Sequence, residues 1–483
     1  MHEIITISLS HRANHLTTQF FNCQEETLLD TNPNDSIDPS IFLYPTIDKI
    51  SKTVSYSPRA LLWEAKNGFG SLGKYQYVPE SLDYHFNNNN SEIPPSTTAN
   101  NTNIISTHPK IEKSAYQNAL DIDPYNLPKL TKENTKYWSD YSKLILEPKS
   151  FNTLQNWYHK VDTPNVPDYQ NLNQYGFTTY EQGVQEFNIC KDDFLDYNLR
   201  LMLEQADTLQ GINFITDLDS GWGGLATQLV QDVRDELPKS TFFTYAFNES
   251  DMFSGAKINH TLMRNKIKST LALKQESDLF FPIFANSQKL SSWEIGGQTC
   301  RLLDTINSVL SQRNKEQRKS MEYITSCLVN DDQLRNVITT LYDTNYDYDY
   351  SFYSQVNKEA KSRVSSKEYH IFSNCLIIRG ESDELSSQNK EGEQNKFKEF
   401  RELRTTTFKP SDTIPEEFVE KKLTSINMST NEKSRYVFKN WNFYISKIFK
   451  LDEDREELKN EASNLVSAYE FGYYDDEDSG DDY

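Results

Sequence analysis

Apolar and polar positions at the start of the chain follow the order of an α/β domain. Glu3-Ile-Ile-Thr-Ile-Ser-Leu9 is β-branched and partly alternating, which predicts a strand almost at the first residue. A polar turn from Ser10 to Asn14 follows, and then an amphipathic stretch from His15 through Phe20 and Phe21. Strand, loop and helix in that order open an α/β domain. A second strand is expected at Ala60-Leu-Leu-Trp63, led in by Ser57-Pro58-Arg59. It runs into Glu64-Ala-Lys-Asn-Gly-Phe-Gly70, where Gly68 and Gly70 permit a tight loop.

The middle of the chain carries the clearest periodicity. Phe194, Leu195, Leu199, Met202 and Leu203 recur at helical spacing, with Glu204 and Asp207 toward the polar side. After Gly211, Ile212-Asn-Phe-Ile-Thr216 predicts a buried strand. Asp217-Leu-Asp-Ser-Gly-Trp-Gly-Gly224 then opens a helix with Leu225, Leu229, Val233 and Leu237 on its apolar face. Pro238 stops it, and Thr241-Phe-Phe-Thr-Tyr-Ala-Phe247 is the next strand. A strand, Gly-rich loop, helix and strand in this order place backbone N–H groups at a helix N-terminus, where anions bind.

Elsewhere the pattern loosens. Residues 86–103, rich in Asn, Ser, Thr and Pro, read as a surface insertion, and residues 381–396 as a long solvated loop. Tyr342 to Tyr350 alternates Tyr with Asp and Asn, as a loop or edge segment does. Helical material is expected from Lys433 to Tyr469, with Asp452 to Glu461 as a solvated face supported by Arg455 and Lys459. No repeat of solenoid length is present.

Composition narrows the class. With 483 residues the chain is long enough for about three domains. Aromatics reach 13%, including 28 Tyr and 27 Phe, too many for a wholly disordered chain. The 71 acidic and 50 basic side chains give a net charge of −21, which disfavours direct binding to DNA or RNA and to anionic lipid. Seven of those negative charges sit in residues 470–483, a stretch expected to be a disordered, solvated tail open to basic partners. Cys23, Cys190, Cys300, Cys327 and Cys375 are odd in number and scattered, so they read as buried, reduced thiols. No apolar run approaches the roughly 18 residues of a membrane span. The first 26 residues resemble neither a secretory signal nor a good transit peptide.

Leu195-Asp196, Arg200, Gln205, Ala206, Leu209-Gln-Gly211 and the Gly-rich loop are similar to the central tubulin segment, and Arg234, Glu236 and Pro238 extend the match. Closer still is a resemblance to the Misato family, tubulin-like proteins associated with mitochondria. It rests on Ile4-Ile-Thr-Ile, Ala13-Asn14, Gln19-Phe-Phe-Asn22, Tyr56-Ser-Pro-Arg-Ala60, Gly68-Phe-Gly-Ser-Leu72, Trp138-Ser-Asp140, Leu209-Gln-Gly211 and Asp219-Ser-Gly-Trp-Gly-Gly224. Beyond about residue 290 it thins to Asn374-Cys-Leu-Ile-Ile-Arg-Gly380 and the acidic tail. The resemblance implies an α/β fold: a tubulin-like, nucleotide-binding-type domain with a largely parallel sheet flanked by helices, then a smaller α+β domain and C-terminal helices. The expected segments are 1–120, 121–290 with the Gly-rich loop, an α+β region 291–400, a helical region 401–469 and the tail 470–483.

The resemblance also implies where a nucleotide would sit, and there the sequence departs from the tubulin pattern. Asn14, Lys66, Ser220, Gly221, Gly223 and Gly224 are the vestigial nucleotide-loop candidates. Asp219 brings a carboxylate to where a phosphate would lie, and Trp222 replaces a small residue. The first loop reads Ser10-His-Arg-Ala13 and retains only Asn14. Glu64 and Lys66 stand at the two positions flanking phosphate and Mg²⁺; Lys66 suits phosphate but cannot ligate Mg²⁺. Phe281-Pro-Ile-Phe-Ala-Asn286 lacks the guanine-reading pattern. The glycines then serve the turn and close helix packing, and no cofactor is expected, with GTP kept as the alternative.

Other chemistry is thinner. His11 and His15 lie four apart, but no neighbouring carboxylate or Cys in the sequence completes a metal set, so they read as two surface imidazoles. Ser220 lacks the G-x-S-x-G elbow because Leu218 holds the leading position. No catalytic residue is expected. The family resemblance implies a non-catalytic protein of mitochondrial partitioning and mitochondrial DNA inheritance, at the mitochondrion, on its cytosolic face, or in the cytoplasm. Its partners are expected to be proteins at mitochondria or the cytoskeleton, tubulin or chaperonin among them. The alternatives are a divergent GTPase that assembles, and an adaptor or folding assistant for tubulin and other cytoskeletal proteins.

Overall fold

The computed structural model describes residues 2–28, 37–47, 52–73, 76–77, 105–106, 110–160, 168–249, 259–285, 290–329, 332–344, 346, 348–351, 369–380, 400–419, 424–450 and 452–472. The insertion 86–103, the polar loop 381–396 and most of the acidic tail lie outside these residues.

Strand β1 (Glu3–Leu9) is buried along its whole length, as a β-branched run in the middle of a parallel sheet must be. It leads directly into α1 (His11–Leu28). The ribbon β2 (Leu43–Ile47) and β3 (Val54–Pro58) precedes β4 (Ala60–Lys66), which pairs parallel with β1. A short ribbon β5 (Gln76–Tyr77) and β6 (Ile105–Ser106) and helix α2 (Ala115–Ile122) come next, then β7 (Phe151–His159) and β8 (Tyr169–Gln170). Helix α3 (Tyr180–Asp193) starts at a Thr179–Gln182 capping box and runs on through a π-helical turn, Phe194–Leu199, into Arg200–Glu204. Then β9 (Leu209–Asp217), α4 (Gly221–Glu236), β10 (Thr241–Asn248), α5 (His260–Glu276) and β11 (Leu279–Phe284) complete the main sheet, as the periodicity predicts.

That sheet has seven strands in the order β11-β10-β9-β1-β4-β7-β8, parallel except for β8. Alternation along its strands separates two cores. Ile5, Ile7, Leu9, Leu61, Trp63, Ile212 and Phe214 pack on α3, α4 and α5. Ile4, Leu62, Ile215, Phe243 and Tyr245 face α1 and α6 (Ser292–Ser308).

Helix α7 (Met321–Val329) leads into the second, five-stranded sheet. Its strands β12 (Thr340–Asp343), β13 (Tyr348–Asp349), β14 (Ile371–Arg379), β15 (Phe400–Thr405) and β16 (Thr424–Asn431) lie in the order β13-β12-β16-β14-β15. The Tyr-rich segment thus supplies the edge strand β13. Part of 401–469 was expected to be helical but is strand, because Thr424–Asn431 buries against β14 and β12 as the centre of this sheet.

Helices α8 (Lys433–Ile448) and α9 (Arg455–Ala468) close the chain against the first core through Phe438, Trp441, Ala462 and Leu465. From Asp452 to Glu461 the expected solvated face is present, with Glu453, Asp454, Glu456, Glu457 and Asn460 exposed, while Leu458 turns to the core. Asp452 departs from it, because its side chain is buried and pairs with Arg264, with Lys268 at 3.9 Å. Among the described residues no helix is long and apolar enough to cross a membrane. All five cysteines are buried and free.

Candidate functional site

From β1 the sheet grows one way through β4 and the other way through β9, so the strand order reverses there. Ligands of open parallel sheets bind in the crevice outside the strand ends at such a point. In this chain four segments border it: the β1–α1 corner, the end of β4, the β9–α4 loop and the end of β10.

The corner is tighter than the sequence suggests. Ser10 takes φ +131°, and the helix begins at His11 rather than at His15. The expected polar turn is therefore a single residue, and everything from His11 to Gln24 is buried. The leading amides of α1 are engaged from within the protein. The His11 N–H donates to the Tyr169 hydroxyl at 3.2 Å, Ala13 N–H to Ser10 Oγ at 3.1 Å and Asn14 N–H to Ser10 O at 2.9 Å.

Helix α4 is closed in the same way. Ser220 is its N-cap, accepting from Trp222 N–H at 3.4 Å, while Gly223 N–H donates to Ser220 O and Gly221 N–H to Phe177 O. A Cβ on Gly221 would meet the Phe177 ring at 2.7 Å. One on Gly223 would strike Ser269 of α5, and one on Gly224 the Tyr180 carbonyl of α3. The space beside these glycines is taken by the Phe177 ring and by two neighbouring helices. The Trp222 indole is fully buried, edge-on to Tyr169 at 5.5 Å and Phe177 at 5.6 Å.

On the β9 side the crevice holds its own ions. Arg12 Nε lies 3.1 Å from Asp217 Oδ1, and Nη2 2.6 Å from Glu249 Oε1. Asp219 accepts from the Glu249 N–H. Burial opposes the Arg12 charge, but Asp217, Glu249 and Asp219 outweigh it and raise its pKa. Burial pushes the Asp217 carboxyl up to about 6 against the pull of Arg12 and of a Ser10 hydrogen bond, and it also raises Asp219. A triphosphate does not fit this arrangement. Three carboxylates repel it, the guanidinium is already paired, and the His11, Ala13, Asn14, Gly221, Trp222 and Gly223 amides have acceptors within the protein.

On the β4 side the residues are polar but largely uncharged. Glu64 is fully buried; its Oε2 accepts from Asn14 Nδ2 at 3.3 Å and lies 3.0 Å from His11 Nδ1. Asn14 also donates to the Trp63 carbonyl at 2.9 Å. His15 lies 3.2 Å from His11, Nε2 to Nε2, and its Nδ1 is 2.6 Å from the Tyr141 hydroxyl. His11 and His15 are therefore core residues and not surface imidazoles, because α1 begins four residues earlier than expected.

Of the candidate residues, the fold brings Asn14, Ser220, Gly221, Gly223 and Gly224 to the crevice as structural elements. Lys66 sits at the outer end of β4, where its Nζ donates to the Gln155 carbonyl at 2.6 Å and lies over the Tyr158 ring. Sequence reasoning missed Arg12, Glu249, Tyr169 and Tyr141 as site residues. Only Arg12, the one strong base in an otherwise acidic opening segment, carried a signal that could have been weighed.

A parallel sheet with this order, a Gly-rich loop at the reversal and helices on both faces define a tubulin-like protein. A family model described as the Misato Segment II tubulin-like domain matches residues 2–122, and one described as a tubulin domain matches residues 127–312. Over nearly the full length of both chains, the sequence is 41% identical to Protein DML1 of Kluyveromyces lactis and 39% identical to Protein DML1 of Eremothecium gossypii. It is 30% identical to Protein DML1 of Debaryomyces hansenii over all of both chains. The chain belongs to this Misato-like DML1 family.

Proposed function

We propose that this protein is a non-catalytic, tubulin-like component of mitochondrial partitioning and mitochondrial DNA inheritance, working at the cytosolic face of the organelle through protein partners. The observation that carries the non-catalytic part is the set of paired charges that the crevice already holds. Asp217, Asp219 and Glu249 meet Arg12 where a ligand's phosphates would have to meet it. The organelle role is supported by family membership and by a net charge of −21, which directs a role in DNA inheritance through proteins rather than through direct DNA contact.

Two measurements test the reading separately. Equilibrium binding of labelled GTP, with and without Mg²⁺, is expected to show no saturable binding; micromolar affinity would return the chain to the divergent GTPases. Depletion in cells is expected to disturb mitochondrial segregation and DNA retention, and normal inheritance would remove the organelle role. Affinity purification that recovers tubulin or chaperonin subunits instead of mitochondrial proteins would move the reading to a folding assistant.

A further inference from the structure

The hydrogen bonds on the β4 side of α1 form a chain whose proton positions are determined by its neighbours. Glu64 accepts at both oxygens, Oε1 from the Ala65 N–H at 3.0 Å and Oε2 from Asn14, so His11 presents Nδ1–H to it. In a neutral ring that leaves His11 Nε2 bare. His15 must then donate its Nε2–H across 3.2 Å, which leaves His15 Nδ1 bare to accept the Tyr141 hydroxyl proton at 2.6 Å. No three His, Cys, Asp or Glu side chains among the described residues converge as a metal ion would require.

We propose that Tyr141, His15, His11 and Glu64 form a metal-free, one-directional hydrogen-bond relay that latches the 137–141 turn onto α1 and opens on acidification. The reasoning is geometric. A proton added at His15 occupies Nδ1 while Nε2–H still serves His11. The Tyr141 oxygen must then accept from Nδ1–H, and its hydrogen turns away from the nitrogen that had accepted it. One proton thus ends the relay at His15 and leaves the buried Tyr141 O–H hydrogen without that acceptor.

The surroundings offer little to relieve this. The cluster meets Tyr137, Asp140 and Tyr141 on the turn, Glu64 on β4, His159 on β7 and Tyr169 on β8. Asp217 acts on Tyr169 from β9, and Cys300 on Tyr141 from α6. Burial, then His11 and His159, lower His15 well below the ordinary histidine range; burial and then His11 do the same to His159. The turn it holds is also tied to the rest of the fold, because Asn22 donates to both the Tyr141 carbonyl and Thr413 Oγ1.

Hydrogen exchange on the full chain tests this. Amides of residues 137–141 are followed at pH 7.5 and 5.5 and corrected for intrinsic rates. The opening equilibrium is expected to rise roughly tenfold for each imidazole kept neutral in the closed state. His15→Asn keeps an acceptor near Nδ1 and removes the titration, so it should flatten that rise by roughly tenfold. Tyr141→Phe, a second probe that leaves all the rings in place, should loosen the turn at pH 7.5 and blunt its pH response, because the hydroxyl that acid displaces is gone. Nitrogen NMR should find the proton on Nδ1 of His11 and on Nε2 of His15. A pH-independent turn, an undiminished pH response in His15→Asn, the opposite tautomers, or protection of the turn by added zinc chloride would each overturn the proposal.

Discussion

His11 and Arg12, consecutive in the first turn of α1, reach to opposite sides of β1 and enter two different buried polar clusters. Toward β9, Arg12 meets Asp217 and Glu249 in a cluster of formal charges that compensate one another. Toward β4, His11 joins a chain of neutral imidazoles and hydroxyls anchored on the single carboxylate of Glu64. The ionic cluster depends on having all its members, since removing one leaves an uncompensated buried charge. The neutral chain depends on proton count, since every imidazole nitrogen has one role only in one tautomer. Two adjacent residues therefore give the same corner of the fold two different sensitivities.

The largest effect should come from breaking the ionic side. Arg12→Leu strands Asp217, which is buried beside β1, and is expected to cost about 5 kcal/mol in denaturant unfolding. An unchanged stability would mean that the carboxylates are compensated by some group other than Arg12. Restoring a small residue in the glycine loop is the next test. Trp222→Ala removes a fully buried indole packed on Tyr169 and Phe177 and should cost about 4 kcal/mol. Thermal unfolding of this variant with and without GTP should show no ligand-induced shift, because Arg12 and its carboxylates remain. A GTP-dependent rise would show that Trp222 alone keeps the nucleotide out.

How far the two clusters could be foreseen differs for physical reasons. The parallel sheet was legible because buried strands are written as local runs, Ile4 to Leu9 and Ile212 to Thr216, and α4 because Leu225, Leu229 and Val233 repeat at helical spacing. The glycines were legible as packing glycines. What they pack against was not, since Tyr180 and Ser269 arrive from other helices. The histidines were misread because their partners lie far along the chain: Glu64 is 53 residues from His11, and Tyr141 is 126 from His15. Arg12 was noticed only as a lone base. Its meaning depends on Glu249, which β10 delivers from more than two hundred positions away. Local pattern specifies elements, while the site is made of contacts between elements that no window of sequence contains.

Titration sharpens the comparison because the two sides respond to acid with opposite signs. Burial places the Asp217 carboxyl at about 6, above its unfolded value of about 3.9. The folded state takes that proton more readily, so stability from this group is full below the unfolded value and lost as pH rises through about 6. Against Asp217→Asn, the wild-type advantage should therefore grow by about 2 kcal/mol as pH falls from 7.5 to 4. Denaturant midpoints across that range measure it, and a constant difference would mean that Asp217 titrates normally.

His159 carries the smallest and most specific effect. It is buried, its ring lies 4.6 Å from that of His11, and neither of its nitrogens has a hydrogen-bond partner among the described residues. Replacing such a group by an apolar ring of similar shape removes an unsatisfied polar cost, so His159→Phe should stabilise the fold by about 1 kcal/mol at pH 7.5. The pH dependence has the opposite sign to that of Asp217. Burial holds His159 neutral well below the ordinary histidine range, so its stability is present above pH 6.5 and is lost as pH falls toward the folded value. The gain from His159→Phe should then widen to about 2 kcal/mol at pH 5.5, since one unit of pH below 6.5 is worth about 1.4 kcal/mol. A loss of stability at both pH values would show that the imidazole nitrogens are satisfied in solution. It would also place water inside the neutral cluster, on the side of α1 away from Arg12.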